Sequence, residues 1–392
     1  MQYLNFILRI MNKFDHLEYY LKNEISPVKQ DIENLSQHID RRESLYTSIG
    51  LPELMIKGKK ILEVGPGSGH NSLYVASCSP KIYDLLEPNK SAWSEIEKLY
   101  SENSKKINLV QPNIIKKKLE DFEAFEKYDI VISEGWLGVN ENERQLMKKL
   151  GSLVKQKGIL VTTLGSPIGY LANTIRRILS WSIVNYDDSL KVNTAKLMKG
   201  YSSHLETMKD MSRHSEDWCQ DSLLNLGFYT LSSTPSMFID DVGDNFNIYC
   251  SYPKITMDWR WYKSLYGSNR RFNEVFLEAY YRNIHNFFDH NLVLEAHDKD
   301  ANFEMEKSAF ALTNIAGERE SKGNTEIDNE IINLILDVFD KLIKIYPSWA
   351  KPLGEVVTLI KSNDISEDSI SNMHEFKKIF GRELMYVSAI KE

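Results

Sequence analysis

The spacing of apolar residues before residue 58 predicts two amphipathic helices. In the first two dozen residues, apolar positions recur every three or four residues, as they do on one face of a helix. For the second helix, Ser26 is a suitable cap and Pro27 suits the first helical position. Its apolar stripe comprises Val28, Ile32, Leu35 and Ile39. Residues 1–58 are therefore predicted to form an N-terminal helical region.

Between residues 59 and 163, short apolar runs alternate with helical segments. The five runs lie at 61–64, 81–88, 107–114, 128–136 and 157–163. Apolar runs of this length predict buried strands, and strands that alternate with helices over about 100 residues form a doubly wound parallel sheet. The predicted fold class is therefore α/β, with a Rossmann-like sheet.

After the fifth predicted strand, the pattern becomes helical instead of continuing directly to a sixth strand. Ser166 and Pro167 begin a predicted helix. Its apolar face comprises Ile168, Leu171, Ile175 and Ile178. Residues 166–214 are thus predicted to form a helical cap, inserted at the end of the sheet where substrates bind.

Beyond the cap, a helix that starts at Ser215 and stops at Gly227 leads into the last two predicted strands. These strands lie at 228–239 and 245–253. The predicted sheet domain, including its cap, therefore covers residues 59–255.

From residue 256 to residue 392, helix-forming and aromatic residues predominate. Helices are predicted at 270–288 and 329–346, with a polar and mobile loop at 317–326 between them. This C-terminal helical region either clamps the sheet or mediates homo-oligomerisation.

Composition and charge argue against several classes of function. With 392 residues and a formal net charge of −7, the chain lacks the broad basic field that nucleic-acid binding generally requires. Its three cysteines are scattered, without metal-ligand spacing, which predicts reduced thiols and a cytoplasmic location. The apolar segment 3–11 contains Asn5 and Arg9 and does not have the pattern of a secretion signal. No later apolar run reaches the roughly 20 residues that a membrane span needs.

A glycine-rich turn follows the first predicted strand. Gly65, Gly67 and Gly69 would let the backbone approach a ligand closely, while Pro66 stiffens the turn. Roughly 20 residues further on, Glu87 ends the second strand, where an acidic residue can accept hydrogen bonds from ribose hydroxyls. The two features together predict an adenosine-binding site.

The segments LEVGPGSG, LLEPN, YDIVISEG and KGILVTT together resemble the class I S-adenosylmethionine-dependent methyltransferases. The resemblance covers residues 45–255 and implies S-adenosylmethionine as the cofactor, with the N-terminal helices folded over it as a lid. The implied ligands of its methionine part are Glu63, Gly65, Pro66, Gly67 and Gly69, and that of its ribose is Glu87.

The adenine contacts depart from the family pattern. Lys118 stands where the family often has an aspartate, so the resemblance implies that Glu120 or Asp121, or backbone amides alone, would face adenine. Ser133, at the end of the fourth predicted strand, completes the expected cofactor-binding residues.

Two other interpretations of the glycine-rich turn stay open, an ordinary strand-to-helix turn and a nicotinamide cofactor site. A dinucleotide site usually has the spacing Gly-x-Gly-x-x-Gly, because its third glycine packs the helix against the strand. The spacing here is Gly-x-Gly-x-Gly. Glu63 also favours S-adenosylmethionine, whose amino group needs a carboxylate that a dinucleotide does not.

Methyl transfer to a hydroxyl requires a base as well as alignment of the acceptor with the methyl group. His214, which follows the predicted cap, is the first candidate base, and a surface histidine is the alternative. Glu134 lies just past the fourth strand, where the family borders the transferred methyl; it is a base, a substrate ligand or a loop residue. His70 and His204 are weaker candidates of the same kind.

Three further groups of residues have both a functional and a structural interpretation. Arg41, Arg42 and Tyr46 could reach a substrate anion, although solvated surface charge is the favoured interpretation. Asp240, Asp241 and Asp244 could bind a metal ion, although a turn is favoured and no metal is expected. Trp259, Trp261 and Tyr262, with Arg260 among them, could stack on a sugar or a cation, although packing against the sheet is favoured.

These features predict a methyltransferase that acts on a small polar acceptor, most plausibly a hydroxyl of a sugar or of a surface-glycan precursor. N-methylation of a small molecule, methylation of protein or RNA, and cofactor binding without turnover are the alternatives.

Overall fold

The computed structural model describes residues 16–23, 25, 29–137, 142–225, 233–243, 245–323, 325–362 and 364–392. The chain divides into two compact units, each built from separate stretches of sequence. The sheet unit comprises Tyr20–Leu164, Ser232–Tyr280 and Leu384–Glu392. The helical unit comprises Met1–Tyr19, Gly165–Leu231 and Tyr281–Glu383.

The sheet unit contains a seven-stranded sheet with strand order β3-β2-β1-β4-β5-β7-β6. Its strands are β1 Lys60–Val64, β2 Ile82–Leu86, β3 Asn113–Ile115, β4 Tyr128–Ser133, β5 Val154–Gly165, β6 Phe246–Tyr252 and β7 Leu384–Lys391. Neighbouring strands among β1 to β5 are parallel, and β6 and β7 are antiparallel. Ile61 and Leu62 of β1 are fully buried, as expected for an inner strand of a parallel sheet. The predicted doubly wound α/β fold is confirmed.

Helices make up most of the remaining regular structure in the described ranges. They are α1 His16–Asn23, α2 Leu35–Ser48, α3 Glu53–Ile56, α4 Ser72–Ser77, α5 Lys90–Asn103, α6 Asn142–Leu153, α7 Pro167–Ser180, α8 Leu190–Leu205, α9 Ser215–Cys219, α10 Pro235–Val242, α11 Phe272–Asn283, α12 Lys299–Lys322, α13 Asp328–Ile345, α14 Ala350–Ser362 and α15 Glu367–Ser371. A π-helical turn, Gln220–Leu224, follows α9. In the helical unit, α7 begins as predicted, because the Ser166 side chain accepts a hydrogen bond from the amide of Gly169.

The strand predicted at 228–239 is wrong within the described residues. Pro235 opens α10 instead, and the Thr234 side chain accepts a hydrogen bond from the amide of Met237, which caps that helix. The seventh strand of the sheet is β7, from a region predicted to be helical, and it lies between β5 and β6. Residues 226–232 lie outside the described ranges.

Three other predicted boundaries differ from the structure. Helix α2 begins at Leu35, after an Asn34 cap, whereas Ser26 and Pro27 lie outside the described residues. Strand β3 is limited to Asn113–Ile115, and residues 107–112 are not strand. The loop predicted at 317–326 is wrong as well, because α12 continues to Lys322 and ends at Gly323.

Candidate functional site

The glycine-rich turn joins β1 to α4 in a conformation that suits glycine. Gly65, Gly67 and Gly69 have φ angles of 70°, 57° and 80°, in the region that residues with a Cβ rarely adopt. At Gly65, a Cβ would also lie 2.6 Å from Nε1 of Trp136. That indole nitrogen donates a hydrogen bond to the carbonyl oxygen of Val64 at 2.7 Å. Backbone shape and the packed indole therefore both require glycine at position 65.

Glu87 is part of the turn's own structure. One carboxylate oxygen accepts a hydrogen bond from the amide of Gly67 at 2.9 Å, and the other accepts from the amide of Asn89 at 2.7 Å. The side chain is buried. A carboxylate oxygen can accept a second hydrogen bond, so binding of a ribose by Glu87 stays a prediction. Its support of the turn is a function that the sequence reasoning missed.

Glu63 is buried in β1 beneath the same turn. The Ser72 hydroxyl donates to one carboxylate oxygen at 2.8 Å, and the Tyr83 hydroxyl donates to the other. Burial, together with the nearby charge of Glu134, raises the pKa of Glu63 from 4.5 to about 7. The Glu63 carboxyl group therefore loses its proton close to neutral pH.

Glu134 forms a buried ion pair with Arg42 of α2. Nη2 of Arg42 donates to both carboxylate oxygens at 2.8 Å. The hydroxyl of Tyr46 donates to Oε1 of the same carboxylate at 2.7 Å. Both side chains of the ion pair are more than nine-tenths buried. The expectation that Arg42 and Tyr46 are solvated is therefore wrong.

Helix α2 brings three polar side chains to the glycine-rich turn at a spacing of four residues. His38, Arg42 and Tyr46 are buried on one face of the helix. Nε2 of His38 donates a hydrogen bond to the carbonyl oxygen of His70 at 3.0 Å, and burial lowers the pKa of His38. The spacing was visible in the sequence, but polar residues at helical spacing usually mark the solvent face.

The charges buried at this site do not balance when Glu63 is ionised. Glu63 and Glu134 are two buried carboxylates, whereas Arg42, the cation in the described part of the site, is paired with Glu134. In addition, the hydroxyl of Ser133 and Nε of Arg42 are buried and make no hydrogen bond within the described residues. Ser133 lies opposite Val64 in the pairing of β4 with β1, next to the glycine-rich turn. The site is therefore suited to a ligand that carries a positive charge.

The residues expected near adenine occupy an exposed turn after β3. Glu120 and Asp121 are both exposed, and the amide of Asp121 donates to the carbonyl oxygen of Lys118 at 3.2 Å. Pro66 lies within the glycine-rich turn, where its carbonyl oxygen accepts from the amide of Gly69. The assignment of Glu120, Asp121 and Pro66 to the cofactor stays a prediction.

The structure places the remaining candidate catalytic residues in two different units. His214 is exposed in the helical unit, directly before α9. His204 is buried in the same unit, where burial and the charge of Arg176 lower its pKa to about 3, so it remains neutral. His70 belongs to the sheet unit, and its Nδ1 hydrogen-bonds the Ser68 hydroxyl at 2.7 Å.

The described part of the chain contains no group of three or more histidine, cysteine, aspartate or glutamate side chains arranged to hold a metal ion. Asp241 instead pairs with Arg144 at 2.8 Å, and Asp244 lies outside the described residues. None of the helices in the described ranges combines the length and apolar character needed to cross a bilayer.

Among solved structures, several methyltransferases are similar to part of this chain. No protein-family model matches it, and no curated protein matches it. Magnesium protoporphyrin IX methyltransferase (ChlM) from Synechocystis PCC 6803, solved with bound SAM, is 19% identical with a TM-score of 0.27, over 33% of this chain and 58% of that one. PKMT2 from Rickettsia typhi, in complex with AdoHcy, is 18% identical with a TM-score of 0.35, over 54% of this chain and 42% of that one.

A third similar structure is the N-methyltransferase NodS from Bradyrhizobium japonicum WM9 in complex with S-adenosyl-L-homocysteine. It is 14% identical with a TM-score of 0.27, over 33% of this chain and 62% of that one. The matched segments thus span about half the length of these three proteins. At these identities the similarity concerns the fold of the matched segments.

Proposed function

We propose that the chain binds S-adenosylmethionine at the glycine-rich turn and transfers its methyl group to a small polar acceptor. The observation that carries the proposal is the excess of buried carboxylate beside the turn. Glu63 and Glu134 are both buried there, and among the described residues Arg42 pairs with Glu134, whereas Glu63 has only hydroxyl partners. S-adenosylmethionine brings an ammonium and a sulfonium group, whereas the nicotinamide dinucleotides bring a pyrophosphate, whose negative charge would oppose these carboxylates.

The residues present fit this cofactor. Glu63 would face its amino group, Gly65 and Gly67 would let its methionine part lie against the backbone, and Glu87 would accept from its ribose hydroxyls. The hydroxyl of Ser133, which makes no hydrogen bond within the described ranges, is a further donor and acceptor beside the turn. When bound, the cofactor would supply an electrophilic methyl group.

Within this proposal, Glu134 positions neighbouring groups rather than removing a proton. Its two carboxylate oxygens already accept hydrogen bonds from Arg42 and Tyr46, which holds them in place between α2 and the turn. His214 remains the proposed base for a hydroxyl acceptor, because it is an exposed histidine, the residue type that most often acts as a general base.

For the acceptor, we propose a hydroxyl of a sugar or of a surface-glycan precursor. The net charge of −7 favours a small acceptor over a nucleic acid. Methylation of an amine is the second candidate, because an amine that is already deprotonated needs no base.

Cofactor binding is tested by calorimetry on the full chain with S-adenosylmethionine, S-adenosylhomocysteine and NAD. We expect both adenosyl ligands to bind and NAD not to bind. Gly67→Val should abolish binding, because a branched side chain would occupy the turn at a φ of 57°. Phe125→Ser, at a fully exposed side chain of the same unit, is the matched control and should bind normally. Binding of NAD alone would refute the cofactor assignment.

The acceptor is tested by incubating cell extracts with the protein and methyl-labelled cofactor. Label in sugar nucleotides or oligosaccharides is expected, whereas label in protein or RNA would refute the proposed acceptor class. With the acceptor known, His214→Ala should lower kcat by about 100-fold or more and leave cofactor affinity unchanged, with a smaller loss at high pH. An unchanged kcat would exclude His214 as the base and favour an amine acceptor.

A further inference from the structure

A loop of the sheet unit, residues 257–266, displays large apolar side chains to solvent. We call it the aromatic loop. Its five most exposed large side chains are between 64% and 86% exposed: Met257, Trp259, Trp261, Tyr262 and Tyr266. The expectation that this segment packs against the sheet is therefore wrong. Exposed apolar groups concentrated in one short segment usually mark a surface that contacts a partner.

The aromatic loop is held together by its own polar contacts. Nε and Nη2 of Arg260 donate to the carboxylate of Asp258, at distances of 2.6 to 3.1 Å. Nη1 of Arg260 donates to the carbonyl oxygens of Asn269 at 2.9 Å and Arg270 at 2.8 Å. The arginine between the two tryptophans thus ties the loop to the following segment. The contacts of Arg260 therefore stabilise the loop conformation in which the aromatic side chains are exposed.

Two exposed lysines accompany the aromatic loop in an otherwise acidic chain. Residues 254–272 contain five lysine and arginine residues and one acidic residue, Asp258, whereas the whole chain has a net charge of −7. Three of the five cations are paired with carboxylates: Arg260 with Asp258, Arg270 with Glu392 and Arg271 with Glu274. Lys254 and Lys263 are exposed, and Nζ of Lys263 lies 5.4 Å from the centre of the Trp261 ring.

We propose that the aromatic loop docks on a lipid bilayer whose surface carries anionic headgroups. Tryptophan and tyrosine favour the headgroup level of a bilayer, because their rings are apolar and their N–H and O–H groups stay hydrated. Met257 would reach towards the acyl chains, and Lys254 and Lys263 would contact the anionic headgroups. The docking would hold the protein peripherally, at the bilayer surface.

Two other occupants fit the observations less well. A sugar-binding platform needs hydrogen-bond acceptors beside the aromatic rings, and the Asp258 carboxylate is already engaged by Arg260. A second copy of the chain, joined through a two-fold axis, would place this positive segment against itself. An anionic surface complements both the aromatic side chains and the charge.

The proposal is tested by co-sedimentation of the full chain with vesicles. One set of vesicles is phosphatidylcholine alone, and the other is an equal mixture of phosphatidylcholine and phosphatidylglycerol. We expect stronger binding to the mixed vesicles. The double variant Trp259→Ser and Trp261→Ser should weaken that binding by about tenfold or more, because two large apolar side chains are lost from the contact. Phe125→Ser, which removes an exposed ring elsewhere in the same unit, should bind like the unmodified chain.

A charge variant separates the electrostatic part of the interaction. Lys263→Glu should remove most of the preference for the mixed vesicles, and added salt should do the same. Absence of binding to both vesicle types would refute the proposal. Equal loss in the Trp259/Trp261 and Phe125 variants would also refute it, as would tryptophan-dependent dimerisation in light scattering or tryptophan-dependent retention on immobilised oligosaccharide.

Discussion

Glu63→Gln should remove a pH-dependent loss of stability from the sheet unit. In the folded protein, burial and the charge of Glu134 raise the pKa of Glu63 from 4.5 to about 7. Between these two values, the unfolded chain has released the proton and the folded chain still holds it. Because the folded state then binds more protons, its stability falls as the pH rises through this window.

The size of the effect follows from the two pKa values. Each pKa unit corresponds to about 1.4 kcal/mol, so the move from 4.5 to about 7 amounts to about 3 kcal/mol once the pH is above 7. Glutamine has nearly the same volume and remains neutral, and its amide group can still bond the hydroxyls of Ser72 and Tyr83. The variant should match the unmodified protein below pH 4.5 and exceed its stability by about 3 kcal/mol above pH 7.

Hydrogen exchange of the β1 and β4 amides, corrected for the intrinsic rate at each pH, measures this difference where it arises. Taking the difference between the two proteins removes the opposite contribution of His38, whose lowered pKa makes the folded state less stable at acidic pH. Glu97→Gln, the same change at an exposed carboxylate of α5, is the control. A stability difference between Glu63→Gln and the unmodified protein that does not vary with pH would refute the reasoning.

Two further predictions concern the same site. Arg42→Met should lower the free energy of unfolding by about 3–5 kcal/mol, because it leaves the buried carboxylate of Glu134 without its cation. The double variant with Glu134→Gln should recover most of that loss. Urea denaturation of the variants measures both effects, and additive effects of the two substitutions would contradict the prediction. Gly65→Ala should displace the Trp136 indole, because the alanine Cβ would lie 2.6 Å from Nε1. A shift in tryptophan fluorescence together with loss of S-adenosylmethionine binding would report the displacement. Normal binding and an unchanged fluorescence spectrum would contradict the close contact.

The parts of the fold that could be predicted from the sequence depend on neighbours along the chain. Strands β1, β2, β4 and β5 are apolar runs that are mostly buried, and α7 has its cap, its proline and its apolar stripe within a few residues. Strand β7 could not be predicted in this way. It pairs with β6, which lies more than one hundred residues earlier, and no local turn joins the two.

The candidate site was predicted in part for a similar reason. The glycine-rich turn and Glu63 belong to one continuous motif, and the structure keeps them together. The ion pair of Glu134 with Arg42 joins residues that are 92 positions apart, so neither side chain indicated its partner. A buried arginine is uncommon unless it is paired, and without the partner a solvated side chain was the reasonable expectation.

The position of β7 also constrains the order in which the sheet unit can be completed. Strand β6 is made long before Leu384–Lys391, and during synthesis most of the helical unit's sequence emerges between them. Until β7 arrives, β5 and β6 each present an unpaired edge, because in the finished sheet they are neighbours only through β7. Closing the sheet is thus a late, long-range step, and the nascent chain passes through a period in which those two edges are open to pairing with other strands.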